Sequence, residues 1–252
     1  MKRKATFVKL KTARPLSSLT LAVAICFGLS GCATTSGNVS SPKDPFQGFN
    51  RAMFAVNEGI DGVVKPVAKG YDAVAPLPVK VGIGNFFGNV WDVWTAVNNL
   101  LQGKVGDAAS DVGRVLVNTT AGIGGVFDVA SDLGLQKHSE DFGQTLGKWG
   151  VGDGPYFFWP IIGPRTTRDT FGWLVDTNID PVWRVRDVPL RNSLAGTRFI
   201  DMRAGLLPAD KVVEQAAFDK YNYIRDAYLQ NRRNEIYDGN PPRQKADEDT
   251  DK

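Results

Sequence analysis

The sequence predicts an all-α fold, and three observations carry that expectation. Apolar residues recur at helical spacing in several segments, period-two alternation is scarce, and helix start and stop residues bound the periodic runs. The chain has 252 residues, 42% of them hydrophobic, enough for one large or two modest domains with a real core. No internal repeat is visible.

The N-terminus is of a different kind. Lys2, Arg3, Lys4, Lys9, Lys11 and Arg14 precede an apolar run over residues 16–29. About 20 apolar residues are needed to span a bilayer, so this run is too short to cross one and fits the h-region of a signal peptide. It ends in LSGC, residues 29–32, which resembles the lipobox of bacterial lipoproteins. Residues 1–31 are therefore read as a removed signal peptide and Cys32 as a lipidated N-terminus. Taking its six cations from a net charge of +3 leaves −3, so nothing favours a nucleic-acid partner. Cys26 leaves with the signal, and a lone Cys32 excludes a disulfide or a thiolate metal site. Acyl chains contribute about 0.8 kcal/mol per buried CH2, so several of them make attachment effectively permanent. By resemblance to such lipoproteins, Ala33 in place of an aspartate directs the chain to the periplasmic side of the outer membrane. Residues 32–43 read as a flexible tether and residues 239–252 as a disordered, charged tail.

Residues 44–238 hold the helices. DPFQ, residues 44–47, looks like a helix start, with Asp44 as N-cap, Pro45 at N1 and Gln47 reaching back. Phe49, Met53, Val56, Ile60 and Val63 follow at helical spacing until Pro66, where the run is expected to stop. Residues 85–102 form the most informative helix. Phe86, Val90, Val93, Val97 and Leu101 lie along one face, and Phe87, Trp91, Trp94 and Leu100 widen it. Asn85, Asn89, Asp92, Asn99 and Gln102 are left as a narrow polar strip. Such a helix suits lipid or core outside with a wet cavity at its polar seam; equally, it suits a central core helix whose seam is paired internally. A smaller helix over residues 105–120 carries Ala108, Ala109 and Gly113, which permit close packing. Phe218, Tyr221, Ile224 and Tyr228 make a last stripe, with Gly239 as a C-terminal stop.

Between these lies KWGVGDGPYFFWPIIGP, residues 148–164, too broken for a core helix and too apolar for an ordinary surface loop. Gly150, Gly152 and Gly154 give a flexible backbone, and Tyr156, Phe157, Phe158 and Trp159 give rings suited to a membrane interface. Neither this run nor Gly122, Gly124 and Gly125 has the spacing of a nucleotide-binding loop.

Signals for catalysis are thin. The single histidine, His138, is expected in an exposed or capping position, and Asp107, Asp111, Glu140 and Asp141 as surface or cap charges. No nucleophile elbow, zinc motif or calcium loop is present, so neither enzyme activity nor a cofactor or metal is expected. Lys211, Arg225, Arg232 and Arg233 fit a solvated helix face better than a headgroup or carrier contact.

Several long strings in series nevertheless carry a resemblance. DPFQGFNRAMFAVN (residues 44–57), NFFGN (85–89), GGVFDVA (124–130), EDFGQTLGKWGVGDGPY (140–156), WPIIGPRTTRD (159–169) and RDAYLQNRR (225–233) resemble the MlaA (VacJ) family. That resemblance implies a ring-like helical lipoprotein embedded in the inner leaflet of the outer membrane, with a central polar channel. It implies removal of misplaced phospholipids from the outer leaflet without hydrolysis, association with trimeric porins, and delivery to a soluble periplasmic carrier. It also places the Gly/aromatic run in a hairpin-like loop beside the channel. On it, Asn85, Asn89, Asp92 and Asn99 become candidates for the lipid path, and Gly150, Gly152, Gly154 and Tyr156 for loop flexibility and lining. The alternatives are a structural lipoprotein that scaffolds a porin-containing envelope complex, and a lipid hydrolase with an unfamiliar site.

Overall fold

The computed structural model describes residues 44–242; the expected signal peptide, Cys32, the tether and residues 243–252 lie outside them. The described part is mostly helical, as the periodicity predicts. Helix α1 spans Gln47–Val74, α2 Leu77–Leu101, α3 Val105–Thr120, α4 Val129–Asp132 and α5 Phe142–Lys148. A two-stranded antiparallel hairpin follows, β1 Tyr156–Trp159 and β2 Gly163–Thr166, with Tyr156 opposite Thr166 and Trp159 opposite Gly163. Then come α6 Thr167–Ile179, a 3-10 turn Pro181–Arg184, α7 Val188–Gly205, α8 Leu207–Ala216 and α9 Lys220–Ile236.

Two boundaries of α1 differ from expectation. The helix begins at Gln47 without a side-chain cap. Asp44 is instead fully buried, accepting from Asn50 Nδ2 at 2.8 Å, the Tyr221 hydroxyl and Arg225 Nη1 at 3.3 Å, so tertiary partners outcompete the local cap. At the other end α1 runs through Pro66. An interior proline costs about 3 kcal/mol, and contacts hold the helix on both sides of it. Arg203 grips Asp61 with bonds of 2.6 and 2.7 Å, Lys65 pairs with Asp210 and Glu214 at 2.9 Å each, and the Tyr71 hydroxyl meets Asp201 at 2.6 Å.

Helix α2 starts eight residues before the predicted residue 85, with Pro78 in its first turn, where no intrahelical donor is needed. Helix α3 coincides with its predicted span. Phe218 falls outside α9 and is fully exposed, whereas Tyr221 is 2% exposed. Gly239 takes its left-handed φ of +83° just beyond the end of α9, after Asp238 at +51°.

The hairpin and α9 make a small aromatic core. Tyr156, Phe158 and Tyr221 are buried in it, backed by Met53, Phe54 and Tyr228. Strand alternation sends Phe157 and Trp159 to the other side, where they stack at 5.7 Å and Phe157 stacks on Phe46 at 5.3 Å. One side chain joins this hairpin to α1. Asn50, fully buried, donates to the Tyr156 carbonyl at 3.0 Å and accepts from Phe158 N–H at 2.9 Å, as a neighbouring strand would.

Two of the four charged groups expected on a solvated face are inside: Arg225 is 8% and Arg232 7% exposed. Arg232 forks onto Asp141 at 2.7 and 2.6 Å and reaches Asp169 at 3.1 Å. Asp169 also accepts from Thr166 Oγ1 at 2.7 Å, the Tyr228 hydroxyl at 2.6 Å and Arg168 Nη2 at 3.0 Å. Burial raises its pKa, but Arg232, Tyr228 and Arg168 outweigh that and hold it down at about 2. Lys211 stays exposed and Arg233 half-buried.

Three stability predictions follow from these contacts. Asn50→Asp keeps the shape but cannot donate to Tyr156 or Asp44. Unmet buried groups cost about 1–3 kcal/mol each, so guanidinium unfolding in detergent will show a loss of about 3 kcal/mol or more. Arg232→Lys keeps the charge but loses the fork over Asp141 and Asp169, and a loss of about 3 kcal/mol is expected in the same assay. Asp176, which accepts from Trp94 Nε1 at 2.7 Å and Phe142 N–H at 3.1 Å, has its carboxyl pushed up to about 6, chiefly by burial. Since that lies above the unfolded value of about 4, its stabilising contribution is complete below about pH 4 and lost as pH rises through 6. Asp176→Asn retains an acceptor without the titration. Wild-type stability relative to this variant will therefore fall by roughly 2–3 kcal/mol between pH 4 and pH 7, and a flat difference would refute the raised value.

Candidate functional site

The interior of the described residues is unusually polar. Twenty polar or charged residues are buried against ten hydrophobic ones, while many large apolar side chains face outward. On α2 the outward set includes Val93, Val97, Leu100 and Leu101, and on α1 Val56, Val63, Val67 and Val74. Globular proteins usually show the opposite distribution, and extended exposed apolar surface marks contact with membrane or a partner. No helix among the described residues is long and apolar enough to cross a membrane.

Helices α2 and α3 enclose the polar seam. Three of its predicted residues are buried: Asn89 is 6%, Asp92 1% and Asn99 0% exposed, whereas Asn85 is half-buried. Asn89 Nδ2 donates to Thr119 Oγ1 at 3.0 Å, Asn99 Nδ2 to Asp111 at 2.7 Å, and Asn85 Nδ2 to the Val126 carbonyl at 3.1 Å. Asp92 lies 3.2 Å from Lys137 Nζ and 3.6 Å from Arg114 Nε. Burial raises its pKa against the pull of Lys137 and Arg114. The strip is thus paired internally along most of its length, the second of the two arrangements its periodicity allows.

Arg114, which the sequence reading missed, is the fully buried centre of this seam. Its guanidinium meets both Asp128 oxygens at 2.8 and 2.9 Å, the Leu135 carbonyl at 2.7 Å and Ser131 Oγ at 3.0 Å. Asp128 is held well below the usual carboxylate range: burial works against this, and bonds from Ser131, Asn118 and Arg114 overcome it. The signal lay in Asp111, Arg114 and Asn118, three polar residues at helical spacing that match the α2 strip. Asp111 is fully buried rather than a surface charge, and His138 Nδ1 is bound to it at 2.9 Å rather than exposed. Glu140 is likewise buried at 7% exposure, while Asp141 caps α5 as expected.

The glycine turn after α3 closes over this seam because it lacks side chains. A Cβ at Gly125, whose φ is +89°, would lie 2.6 Å from Asn89, and one at Gly122 would lie 2.1 Å from the Phe127 carbonyl oxygen. The same turn carries Val126 and Phe127 to the N-terminal half of α2, where two cavities adjoin. One of about 530 Å3 is almost wholly apolar, lined by Ile83, Phe86, Phe87 and Leu194 among others. The second, about 350 Å3, shares Pro78, Gly82, Val126 and Phe127 with it and adds Asn85, Asp128 and Asp132.

At the far end of α2, residues 149–155 lead into β1. Gly150 and Gly154 have φ of +90° and +65°, and Gly150, Gly152 and Gly154 are all exposed. The segment is pinned at several points: Trp149 Nε1 donates to the Leu101 carbonyl at 2.9 Å, Val151 N–H to the Leu146 carbonyl at 2.9 Å, and Arg168 Nη1 to Asp153 at 2.6 Å. Tyr156 is not on its surface. It is fully buried against Tyr221 and Tyr228, with its pKa driven up by burial, so it supports the loop from behind.

Similarity to known proteins covers all of these parts. The profile of the MlaA lipoprotein family matches residues 42–235. An uncharacterised protein of Rickettsia typhi is 37% identical over 191 residues, 75% of this chain and 76% of its own length. The intermembrane phospholipid transport system lipoprotein MlaA of Escherichia coli K12 is 35% identical over 220 residues, covering 85% of this chain and 86% of that one. Its namesake in Haemophilus influenzae is 32% identical over 238 residues, with coverage of 91% and 93%. A solved structure described as the structural basis for maintenance of bacterial outer membrane lipid asymmetry superposes with a TM-score of 0.67 at 32% identity, covering 78% of this chain and 99% of that chain. The matched span contains the whole seam, the glycine turn and the loop before β1, and the chain belongs to the MlaA lipoprotein family.

Proposed function

We propose that this chain removes misplaced phospholipids from the outer leaflet of the outer membrane and passes them to a soluble periplasmic carrier, with a trimeric porin as its membrane partner. One observation supports this most directly: polar groups fill the interior while apolar side chains cover much of the outside. A bilayer leaflet can solvate such an exterior, and a headgroup can travel beside the wall that the packed polar seam holds rigid while its tails remain in hydrocarbon. The relatives named for intermembrane phospholipid transport bring the same activity to mind for this chain.

In this mechanism the seam residues act at different depths. Asn85, half-buried, borders the path, whereas Asn89, Asp92 and Asn99 hold α2 to α3 and keep one wall rigid. Gly150, Gly152 and Gly154 let the opposite wall move, with Tyr156 as its fixed base. Cys32 carries the acyl anchor that keeps the domain at the inner leaflet. No bond of the lipid is made or broken; direction comes from relaxation of misplaced lipid and from uptake by the carrier.

Loss of the gene will raise phospholipid in the outer leaflet, measured by surface labelling, and the wild-type gene will restore it. Cys32→Ala will not restore it. Gly152→Pro is the sharper test, because Gly152 has open space around it and does not need a left-handed φ. That variant should fold normally by circular dichroism yet clear lipid several-fold more slowly. Normal clearance by Gly152→Pro would favour a scaffold with no moving wall, and normal surface lipid in the deletion strain would end the transport proposal.

A further inference from the structure

The two adjoining cavities at the N-terminal half of α2 differ in chemistry. The larger, about 530 Å3, falls within the roughly 300–1,000 Å3 of pockets that enclose small ligands, and it has almost no polar lining. Val79, Val81 and Phe127, all at least half exposed, surround the openings and join them to the apolar outer surface. The smaller cavity carries Asp128 and Asp132 and no cation. Asp128 is neutralised from inside by Arg114 at 2.8 Å, but exposed Asp132 joins no ion pair among the described residues. A third pocket of about 390 Å3 continues through Val81 and adds Asp72, Asp201, Lys80 and Lys211. Lys80 is held by Asp72 at 2.7 Å. With Asp128 paired to Arg114 and Asp72 to Lys80, the second and third pockets together leave Asp132 and Asp201 against Lys211.

We infer that the apolar cavity takes one acyl chain of a phospholipid and that the acidic rim makes the site prefer a net-neutral zwitterionic headgroup to a net-anionic one, with Asp132 as the specificity-determining residue. This rests on the phospholipid function proposed above and names the lipid class. An acyl chain is the occupant that matches an apolar chamber opening onto an apolar exterior, because each buried CH2 contributes about 0.8 kcal/mol. The headgroup then lies at the rim, where every phospholipid brings a phosphate and only a zwitterion cancels it with an ammonium. Val126, whose carbonyl is tied to Asn85 at 3.1 Å, fixes the partition between the chain and headgroup compartments.

The test uses the full-length protein incubated with vesicles of equal phosphatidylethanolamine and phosphatidylglycerol, re-isolated, and its bound lipid counted by mass spectrometry. Wild type should hold an excess of phosphatidylethanolamine. Asp132→Lys, a change of two unit charges, should shift the ratio toward phosphatidylglycerol by on the order of thirtyfold, since one unit charge contributes about fivefold at contact distance in a water-like medium. The shift should shrink with added salt. Ser193→Phe, at an exposed position lining the apolar cavity, should lower total bound lipid with the ratio unchanged. An unchanged ratio in Asp132→Lys overturns the headgroup preference, and a full lipid load in Ser193→Phe overturns the acyl-chain site. Vesicle lipid taken up by Cys32→Ala but not by wild type would assign the cavity to the protein's own anchor, against the proposal. Absence of bound lipid from every variant would remove the phospholipid function itself, a different failure from an unchanged ratio.

Discussion

The carboxylate of Asp169 receives Thr166 from the end of β2, Arg168 from its own helix, and Tyr228 and Arg232 from α9. Arg232 carries the connection on to Asp141 at the start of α5. Four elements, β2, α5, α6 and α9, are tied together at this one group. A buried ion is unfavourable unless its lone pairs are saturated, so the surrounding side chains have a single satisfactory arrangement. Close backbone approach completes it: a Cβ on Gly172 would lie 2.4 Å from Gly143 N, which lets α5 and α6 press together beneath the cluster.

The same constraint recurs at the α2–α3 seam, where Arg114 and Asp128 take the place of Arg232 and Asp141. A protein whose exterior is apolar gains little from a further apolar interior when the surrounding medium is itself hydrocarbon. Hydrogen bonds and ion pairs then specify which helix meets which, as polar contacts do between helices in lipid. Asn89, Asp92 and Asn99 accordingly close the α2–α3 pair along most of its length. Residues 149–155 differ in kind: they are tied at Trp149, Val151 and Asp153, and the exposed glycines between these ties carry no side chains.

Helical periodicity made α3 legible to its ends and α2 over most of its length, because each has a repeating apolar or polar stripe. The hairpin was anticipated by the family resemblance alone and not by periodicity, because a four-residue strand such as YFFW offers too short a window for alternation to stand out. Pro66 misled for a related reason: its cost is local, while the contacts of Asp61, Lys65 and Tyr71 that offset it come from α7 and α8. The buried charges were the hardest to see. Asp44 meets Tyr221 across 177 residues, and nothing in DPFQ distinguishes a helix cap from a long-range acceptor. Asn50 did leave a trace, since it occupies a helical position between Phe46, Met53 and Phe54 on an otherwise apolar face. The polar strip itself was visible; whether it faced a cavity or another helix depended on Arg114 and the glycine turn, which the spacing alone does not place.

The link between Asn50 and β1 bears on how such a chain survives its journey. A short hairpin with an open edge is a template on which strands of other molecules can add, and an apolar exterior brings those molecules together. Here the outer edge of β1 is already occupied: the Tyr156 carbonyl and Phe158 N–H are both engaged by one amide from α1. That edge offers no free backbone group at these positions to an incoming strand. A protein with so greasy a surface thereby keeps part of its only sheet, among the described residues, closed to strand addition.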